Sequence, residues 1–163
     1  IEPDIIALAK GLGGGFPVGA VMATAKVGDA MIPGTHGSTF GGNPLAMRSA
    51  NAVLDLLLED DFLKTLRENI TYFDNKMDAL INDDDKVSPV ILCKKGSGML
   101  RGFHLTKNFA AGDFGNISRE KGLLLVGAAE NTIRLLPPLN TSKEEIDQAF
   151  EILSEVVKEI KKN

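Results

Sequence analysis

The sequence predicts an α/β protein in which a β-then-α section is followed by a smaller α+β module. Two short apolar runs near the start flank a glycine-rich loop, as strands joined by a tight connection would. Two helical patterns then follow one another between residues 45 and 81. Beyond residue 87, strand-like and helical runs alternate. These three observations define two consecutive parts of the chain.

The first part begins with strands. Asp4–Ala9 is a short apolar run that suits a parallel strand buried on both faces, and Val18–Ala25 predicts a second strand. A polar, turn-rich stretch, Pro33–Pro44, comes next. Because natural domains seldom open directly on a buried strand, and the first residue is Ile rather than Met, we expect the chain to be a portion of a longer protein.

Two helices complete this part. The first is predicted over Leu45–Glu59, with Asn43 as its N-cap and Pro44 at its first position, where a missing N–H costs nothing. The second is predicted over Asp60–Ile81, where apolar residues recur at steps of three and four. The pattern changes after the acidic run that follows, NDDDK, whose carboxylates are expected to be solvated at the helix end. We therefore predict two domains, residues 1–84 and 85–163.

The second part is predicted to contain four strands and two helices. The strands are Val90–Cys93, Met99–Leu105, Leu123–Val126 and Thr132–Leu136. One helix is expected around Asp113–Lys121, closed by Gly122 at its C-terminus. The last helix begins at Ser142 and Glu145, which have the spacing of a capping box. Its apolar residues are predicted to form one stripe: Ile146, Ala149, Phe150, Leu153, Val156, Val157 and Ile160.

Composition excludes several classes of protein. The 163 residues are 44% hydrophobic and 25% charged, as in soluble globular proteins. The net charge of -4 does not favour binding to nucleic acid or to an anionic membrane, and no apolar run approaches the ~20 residues of a membrane span. With a single cysteine, Cys93, no internal disulfide can form. Nothing in this composition suggests an oxidising compartment, and we predict a cytoplasmic protein.

Lys10 is the first candidate functional residue. In DIIALAKGLGGGFPVGA it lies between an apolar run and five glycines. A lysine that desolvation drives towards its neutral form is a nucleophile that can form a Schiff base with an aldehyde. The stretch is not a P-loop, because there the lysine follows the glycines. From these residues alone, an exposed lysine at a strand end is an equally good interpretation.

A second loop, HGSTFGGNP, has the components of a phosphate site. It offers the hydroxyls of Ser38 and Thr39, two glycines, and the N-terminus of the helix that starts at Pro44. Hydroxyls and free backbone N–H groups at a helix N-terminus bind phosphate. The alternative is a helix-capping turn without a ligand.

Arg134 is the third candidate, in the apolar segment TIRLLPPL. The planar guanidinium group suits a carboxylate, whereas the alternative is an edge-strand arginine that reaches towards water. We expect less of the other polar residues. His36 and His104 lack metal spacing, so no metal site is predicted. Cys93 is expected to be a small buried residue, and Arg101 a strand residue without chemistry.

Three stretches resemble the class III aminotransferases, which are pyridoxal-phosphate enzymes of fold type I. They are PDIIALAKGLGGGFPVGA, GTHGSTFGGNPLA and NTIRLLPPLNTSKEEID, in the family's order and spread over the whole chain. The resemblance implies that residues 1–84 are the C-terminal part of a large cofactor-binding domain. It implies that residues 85–163 are the small C-terminal α+β domain.

The resemblance also implies roles for the candidate residues. Lys10 would hold pyridoxal 5'-phosphate, Ser38 and Thr39 would bind its phosphate, and Arg134 would bind a substrate carboxylate. The Thr39 contact would cross a homodimer interface into the neighbouring subunit's site. The residues that stack on the cofactor ring and pair with its nitrogen are expected upstream, so the chain alone is expected to be inactive.

The implied reaction moves an amino group from an ω-amino donor, N-acetylornithine, to 2-oxoglutarate in arginine biosynthesis. Ornithine, 4-aminobutyrate and succinyl-diaminopimelate are alternative donors. A non-catalytic interaction module that kept the fold of an enzyme fragment is a different class of alternative. A nucleotide-phosphate-binding domain is disfavoured by the order of lysine and glycines.

Overall fold

The computed structural model describes residues 1–84 and 86–162. Backbone contacts divide the chain into two compact units, Ile1–Leu63 and Lys64–Asn163. The mixture of strands and helices confirms the predicted α/β class. The domain boundary that the sequence predicts after residue 84 stays a prediction.

The first unit contains a two-stranded sheet. β1 (Ile5–Leu8) and β2 (Ala20–Ala23) pair antiparallel, with Ile5 opposite Ala23. Among the described residues β1 pairs only with the antiparallel β2, so the expected parallel pairing is not seen there, and the burial of β1 in the whole protein stays a prediction. The glycine-rich connection turns the chain straight back alongside β1, and Ile5 is 56% exposed among the described residues.

Two helices follow β2 in this unit. α1 (Ala25–Gly28) is a single turn that the sequence did not predict, and α2 (Pro44–Leu57) is the expected longer helix. Its predicted start is confirmed: the Asn43 side chain accepts a hydrogen bond from the N–H of Ala46 at 2.9 Å. This cap satisfies one of the N–H groups that a helix N-terminus leaves free, so it fixes where the preceding loop ends.

The second unit has a four-stranded antiparallel sheet in the order β3-β4-β6-β5. Its strands are β3 (Ile91–Ser97), β4 (Leu100–Leu105), β5 (Val126–Ala128) and β6 (Thr132–Leu135). Three helices contribute to its core: α3 (Asp60–Asp83), α4 (Ala111–Glu120) and α5 (Lys143–Ile160). β6 lies between β4 and β5, so both of its edges are paired.

The core of this unit is formed where the helices meet one face of the sheet. Its fully buried side chains include Met77, Phe103, Phe114, Ile133 and Leu153. The apolar stripe that the sequence predicts on α5 is confirmed, because Ile146, Phe150, Leu153 and Val157 are buried in this core.

The helix ends in this unit follow the predicted local rules. At the start of α5, Ser142 and Glu145 form both hydrogen bonds of a capping box. At the end of α4, Gly122 adopts a left-handed φ of 89°, as expected of a C-terminal glycine. The N–H of Leu123 then bonds back to the carbonyl of Ser118. Because Leu123 serves this cap, the strand predicted over Leu123–Val126 is wrong, and β5 begins only at Val126.

A bulge in β3 overturns the expectation that Cys93 is buried. Ile91 pairs with Leu105 but Cys93 pairs with His104, so two residues of β3 lie opposite one residue of β4 at this point. The bulge interrupts the alternation of faces, and Cys93 is exposed.

Asp84 is a second correction, because the acidic run after α3 was expected to be solvated. The Asp84 carboxylate is buried and accepts hydrogen bonds from the N–H groups of Val90 and Ile91, at 2.7 and 2.9 Å. It also pairs with Lys161 at 2.7 Å. The side chain thereby joins the end of α3 to the start of β3 and to the end of α5. Asp85, in the same run, lies outside the described residues.

Asn131 connects three elements directly before β6. Its side-chain oxygen accepts a hydrogen bond from the N–H of Ala111 at 2.8 Å. Its amide nitrogen donates to the carbonyls of Thr106 and Phe109, at 3.1 and 2.8 Å. Its φ of 49° lies in the left-handed region, which Asn tolerates better than most residues. One side chain therefore ties the start of β6 to the segment after β4 and to α4.

We predict that Asn131→Ala lowers the free energy of unfolding by about 2–4 kcal/mol, because carbonyls lose their donor and alanine strains the left-handed backbone. Urea denaturation of the whole protein measures this effect. Asn108→Ala is the control, since Asn108 is exposed and its side chain has no hydrogen-bond partner among the described residues. Equal urea midpoints for the two variants would contradict the role of Asn131.

Candidate functional site

Lys10 lies at the first position of a 3₁₀-helix, Lys10–Gly13, that follows β1. Its φ of 54° is left-handed, a conformation that is unfavourable by about 1–2 kcal/mol for a residue with a side chain. The side chain is exposed in the first unit, so the described residues do not desolvate the Lys10 amine. A strained backbone at a lysine is a reason to consider function there.

Two of the glycines after Lys10, Gly13 and Gly14, are required by close packing. A Cβ atom at Gly13 would lie 2.7 Å from Cγ1 of Val18, and one at Gly14 would lie 2.9 Å from Cγ2 of Val53. Gly14 also has a left-handed φ of 59°. The turn is thus fitted closely against the approach to β2 and against α2. This packing fixes the backbone that carries Lys10.

The second predicted loop is ordered by its own hydrogen bonds. The N–H of Gly41 donates to Oγ of Ser38 at 2.9 Å, and Nδ2 of Asn43 donates to the carbonyl of Phe40 at 2.8 Å. Ser38 acts there as an acceptor, which leaves its hydroxyl proton for another partner. The Thr39 hydroxyl is exposed and has no hydrogen-bond partner within residues 1–84 and 86–162. The loop therefore presents two hydroxyl donors from an ordered backbone.

Arg134 lies on β6 and is exposed. Its strand neighbours are Gly102 on β4 and Val126 on β5. In the part of the chain that the structure describes, no carboxylate or carbonyl pairs with its guanidinium group. This group is therefore free to bind a carboxylate from outside the unit.

Arg101, on the adjacent strand, shows the contrast. Its guanidinium group pairs with Asp74 and donates to the carbonyl of Gly96 at 2.7 Å, and its side chain is only 12% exposed. Arg101 thus joins β4 to α3, in line with the expectation of a strand residue without chemistry. Of the two arginines, only Arg134 offers an unpaired guanidinium group among the described residues.

The candidate residues fall into two groups. Lys10, Ser38 and Thr39 belong to the first unit, and Arg134 belongs to the second. Sequence reasoning did not single out Gly102, the neighbour of Arg134, because strand register cannot be read from local pattern.

The two histidines do not form a described metal site. His36 is exposed in the second loop, and Nδ1 of His104 lies 3.5 Å from the Thr132 hydroxyl. Among the described residues, no cluster of three His, Cys, Asp or Glu side chains could hold a metal ion. No described helix is long and apolar enough to cross a membrane.

Residues 1–157 match the class III aminotransferase family. The chain belongs to this family. It is 44% identical over 156 residues to acetylornithine aminotransferase of Streptococcus mutans, covering 96% of this chain and 40% of that protein. It is 39% identical over 157 residues to acetylornithine aminotransferase of Bacillus subtilis, covering 96% of this chain and 39% of that protein.

Solved structures agree with these sequence relatives. Plasmodium falciparum ornithine delta-aminotransferase superposes with a TM-score of 0.87 at 30% identity, over 100% of this chain and 41% of that one. Acetylornithine aminotransferase from Elizabethkingia anophelis gives a TM-score of 0.84 at 33% identity, over 98% of this chain and 40% of that one. Toxoplasma gondii ornithine aminotransferase, which has partial occupancy of PLP at its active site, gives a TM-score of 0.86 at 30% identity. The superposition covers 98% of this chain and 38% of that one. The chain thus spans about two fifths of the length of these relatives.

Proposed function

We propose that the whole protein carrying this chain is a pyridoxal-phosphate-dependent aminotransferase that moves an amino group from N-acetylornithine to 2-oxoglutarate, as a step of arginine biosynthesis. The observation that carries the proposal is the 44% identity to an acetylornithine aminotransferase over 96% of the chain. Within that family, residues 1–84 would belong to the large cofactor-binding domain, and 85–163 would form the small one.

The residues of the first unit fit pyridoxal 5'-phosphate. The cofactor has an aldehyde and a phosphate, and the unit offers an exposed amine at Lys10 and donor hydroxyls at Ser38 and Thr39. The Toxoplasma gondii relative holds PLP at its active site. When bound, this cofactor supplies an electron sink for the bond that breaks at the substrate carbon.

The protein's own residues then have distinct tasks. In its neutral form, the Lys10 amine can accept the proton that leaves the nitrogen-bearing carbon of the substrate. The same group can then donate that proton to complete the transfer of the amino group. The guanidinium group of Arg134 would bind a substrate carboxylate through its two parallel N–H donors. The Thr39 hydroxyl would donate to the cofactor phosphate of a neighbouring subunit, which requires a homodimer. We place this enzyme in the cytoplasm.

Substrate chemistry narrows the role of Arg134. In 2-oxoglutarate one carboxylate is attached to the reacting carbon, whereas in N-acetylornithine the reacting amine is at the far end of the chain from the carboxylate. The two substrates thus carry these carboxylates at different distances from the reacting carbon, so one guanidinium group cannot bind both in the same way. Arg134 is therefore assigned to the carboxylate beside the oxo group.

The alternative donor with support of its own is ornithine, because ornithine aminotransferases superpose with TM-scores of 0.87 and 0.86. Steady-state assays with 2-oxoglutarate as acceptor separate the candidates. We expect kcat/KM to be highest for N-acetylornithine, compared with ornithine, 4-aminobutyrate and succinyl-diaminopimelate. A higher kcat/KM for another donor would identify that donor as the substrate instead. If none of the four donors is turned over, the proposed activity is wrong.

We predict that Thr39→Ala weakens retention of the cofactor by about tenfold to hundredfold, because one hydrogen bond to a charged phosphate contributes ~1.5–3 kcal/mol. The dissociation constant of pyridoxal phosphate, from spectroscopic titration of the whole protein, measures this effect. Thr39→Ser retains the hydroxyl and serves as the matched control. An unchanged dissociation constant in Thr39→Ala would remove Thr39 from the phosphate site.

We predict that Arg134→Lys raises the KM for 2-oxoglutarate by about tenfold or more, because lysine keeps the charge but loses the two-pronged geometry. The KM for N-acetylornithine should change much less, for the reason given above. Initial rates at varied concentrations of each substrate measure both constants. An equal rise in the two would contradict the assignment of Arg134 to the oxo acid.

A further inference from the structure

Arg134 lies in a row of directly paired residues that crosses the sheet of the second unit. The register places Lys95 opposite Gly102, Gly102 opposite Arg134, and Arg134 opposite Val126. Directly paired residues of antiparallel strands project from the same face of a sheet. The position next to Arg134 on β4 therefore carries no side chain.

The glycine at position 102 is required by space and not by backbone conformation. Its φ lies outside the left-handed region, so the chain there would accept any residue. A Cβ atom at Gly102 would, however, lie 2.7 Å from Cγ2 of Thr132 and 3.0 Å from the carbonyl oxygen of Ile133. The contact with Thr132 is shorter than a carbon atom tolerates, so that side chain would have to move, and the carbonyl of Ile133 would have to give by a few tenths of an ångström.

Neither Thr132 nor the carbonyl of Ile133 is free to move independently of the rest of β6. Thr132 is buried, and its hydroxyl donates to the carbonyl of Glu130 at 3.1 Å. Ile133 is fully buried in the core, and its backbone is paired with β4 on one side and β5 on the other. These two residues immediately precede Arg134. A methyl group at position 102 would therefore displace the segment of β6 that carries the guanidinium group.

We propose that Gly102 is a positioning residue for Arg134: the absence of a side chain at position 102 lets β6 lie where Arg134 can bind the carboxylate of the oxo acid. This inference rests on the proposed function of Arg134. Gly102 itself makes no contact with substrate and acts only through the placement of β6.

The test uses the whole protein loaded with pyridoxal phosphate. We expect Gly102→Ala to raise the KM for 2-oxoglutarate, and its dissociation constant, by about tenfold, because a misaligned guanidinium group loses its paired hydrogen bonds. The kcat at saturating oxo acid and the KM for N-acetylornithine should stay within about twofold of wild type, since the chemistry at Lys10 is not altered.

Two further variants separate positioning from general damage to the fold. Thr132→Ser removes the Cγ2 methyl group and keeps the hydroxyl, so Gly102→Ala/Thr132→Ser should recover most of the lost affinity for 2-oxoglutarate. Gly127→Ala is the matched control, because Gly127 lies on β5 in the same sheet, and a Cβ there would meet no atom within 4 Å. It should leave both KM values unchanged.

Arg134→Lys, assayed in parallel, distinguishes the proposed carboxylate-binding role of Arg134 from the positioning role of Gly102. If Arg134→Lys raises the KM for 2-oxoglutarate and Gly102→Ala does not, the inference is wrong while the proposed function stands. If Arg134→Lys leaves that KM unchanged, the assignment of Arg134 fails and this inference fails with it. A loss of affinity in Gly102→Ala that Thr132→Ser does not relieve would also overturn the proposal.

Should Gly102→Ala fail to fold, the double variant decides. The proposal requires it to fold and to bind 2-oxoglutarate within about threefold of wild type, since the tightest contact is gone. A folded double variant whose KM is as high as that of Arg134→Lys would contradict the positioning role.

Discussion

The placement of β6 is the constraint on which the second unit depends. The strand is paired on both edges, its Ile133 side chain is fully buried in the core, and Asn131 fastens its start to the segment after β4 and to α4. The strand cannot shift without breaking bonds on several sides, so its exposed residue, Arg134, is held on a rigid support. Binding groups placed on strands that are fixed in this way are oriented before the ligand arrives, which reduces the entropy that binding must overcome.

The first unit also holds its candidate functional groups on a fixed backbone, but without a strand that is paired on both edges. Lys10 and the hydroxyls of Ser38 and Thr39 lie on connections and not on long elements. Close packing of Gly13 and Gly14 against Val18 and Val53 fixes the first connection, and the side chains of Ser38 and Asn43 order the second. The strained φ of Lys10 is tolerated because this turn leaves the backbone few alternatives. The amine and the hydroxyls are therefore presented from backbone that the chain's own packing and hydrogen bonds hold in place.

The features that the sequence predicted correctly are those that neighbouring residues determine. The caps at Asn43, Ser142 and Gly122 follow from side chains within three residues of the helix ends, and the apolar stripe of α5 follows from helical periodicity. The features that it missed depend on distant partners. The antiparallel neighbour of β1, the bulge that exposes Cys93, and the burial of Asp84 against Lys161 are all set by tertiary pairing. For the same reason, the sequence predicted Arg134 as a binding residue but gave no signal for Gly102 beside it.

We propose that Lys10 carries the pyridoxal cofactor in the whole protein. The most direct measurement is to load the whole protein with pyridoxal phosphate, reduce it with borohydride, digest it, and locate the modified peptide by mass spectrometry. We expect a phosphopyridoxyl group on Lys10, together with loss of the visible absorption band on reduction. Modification of a different lysine, or of none, would contradict it.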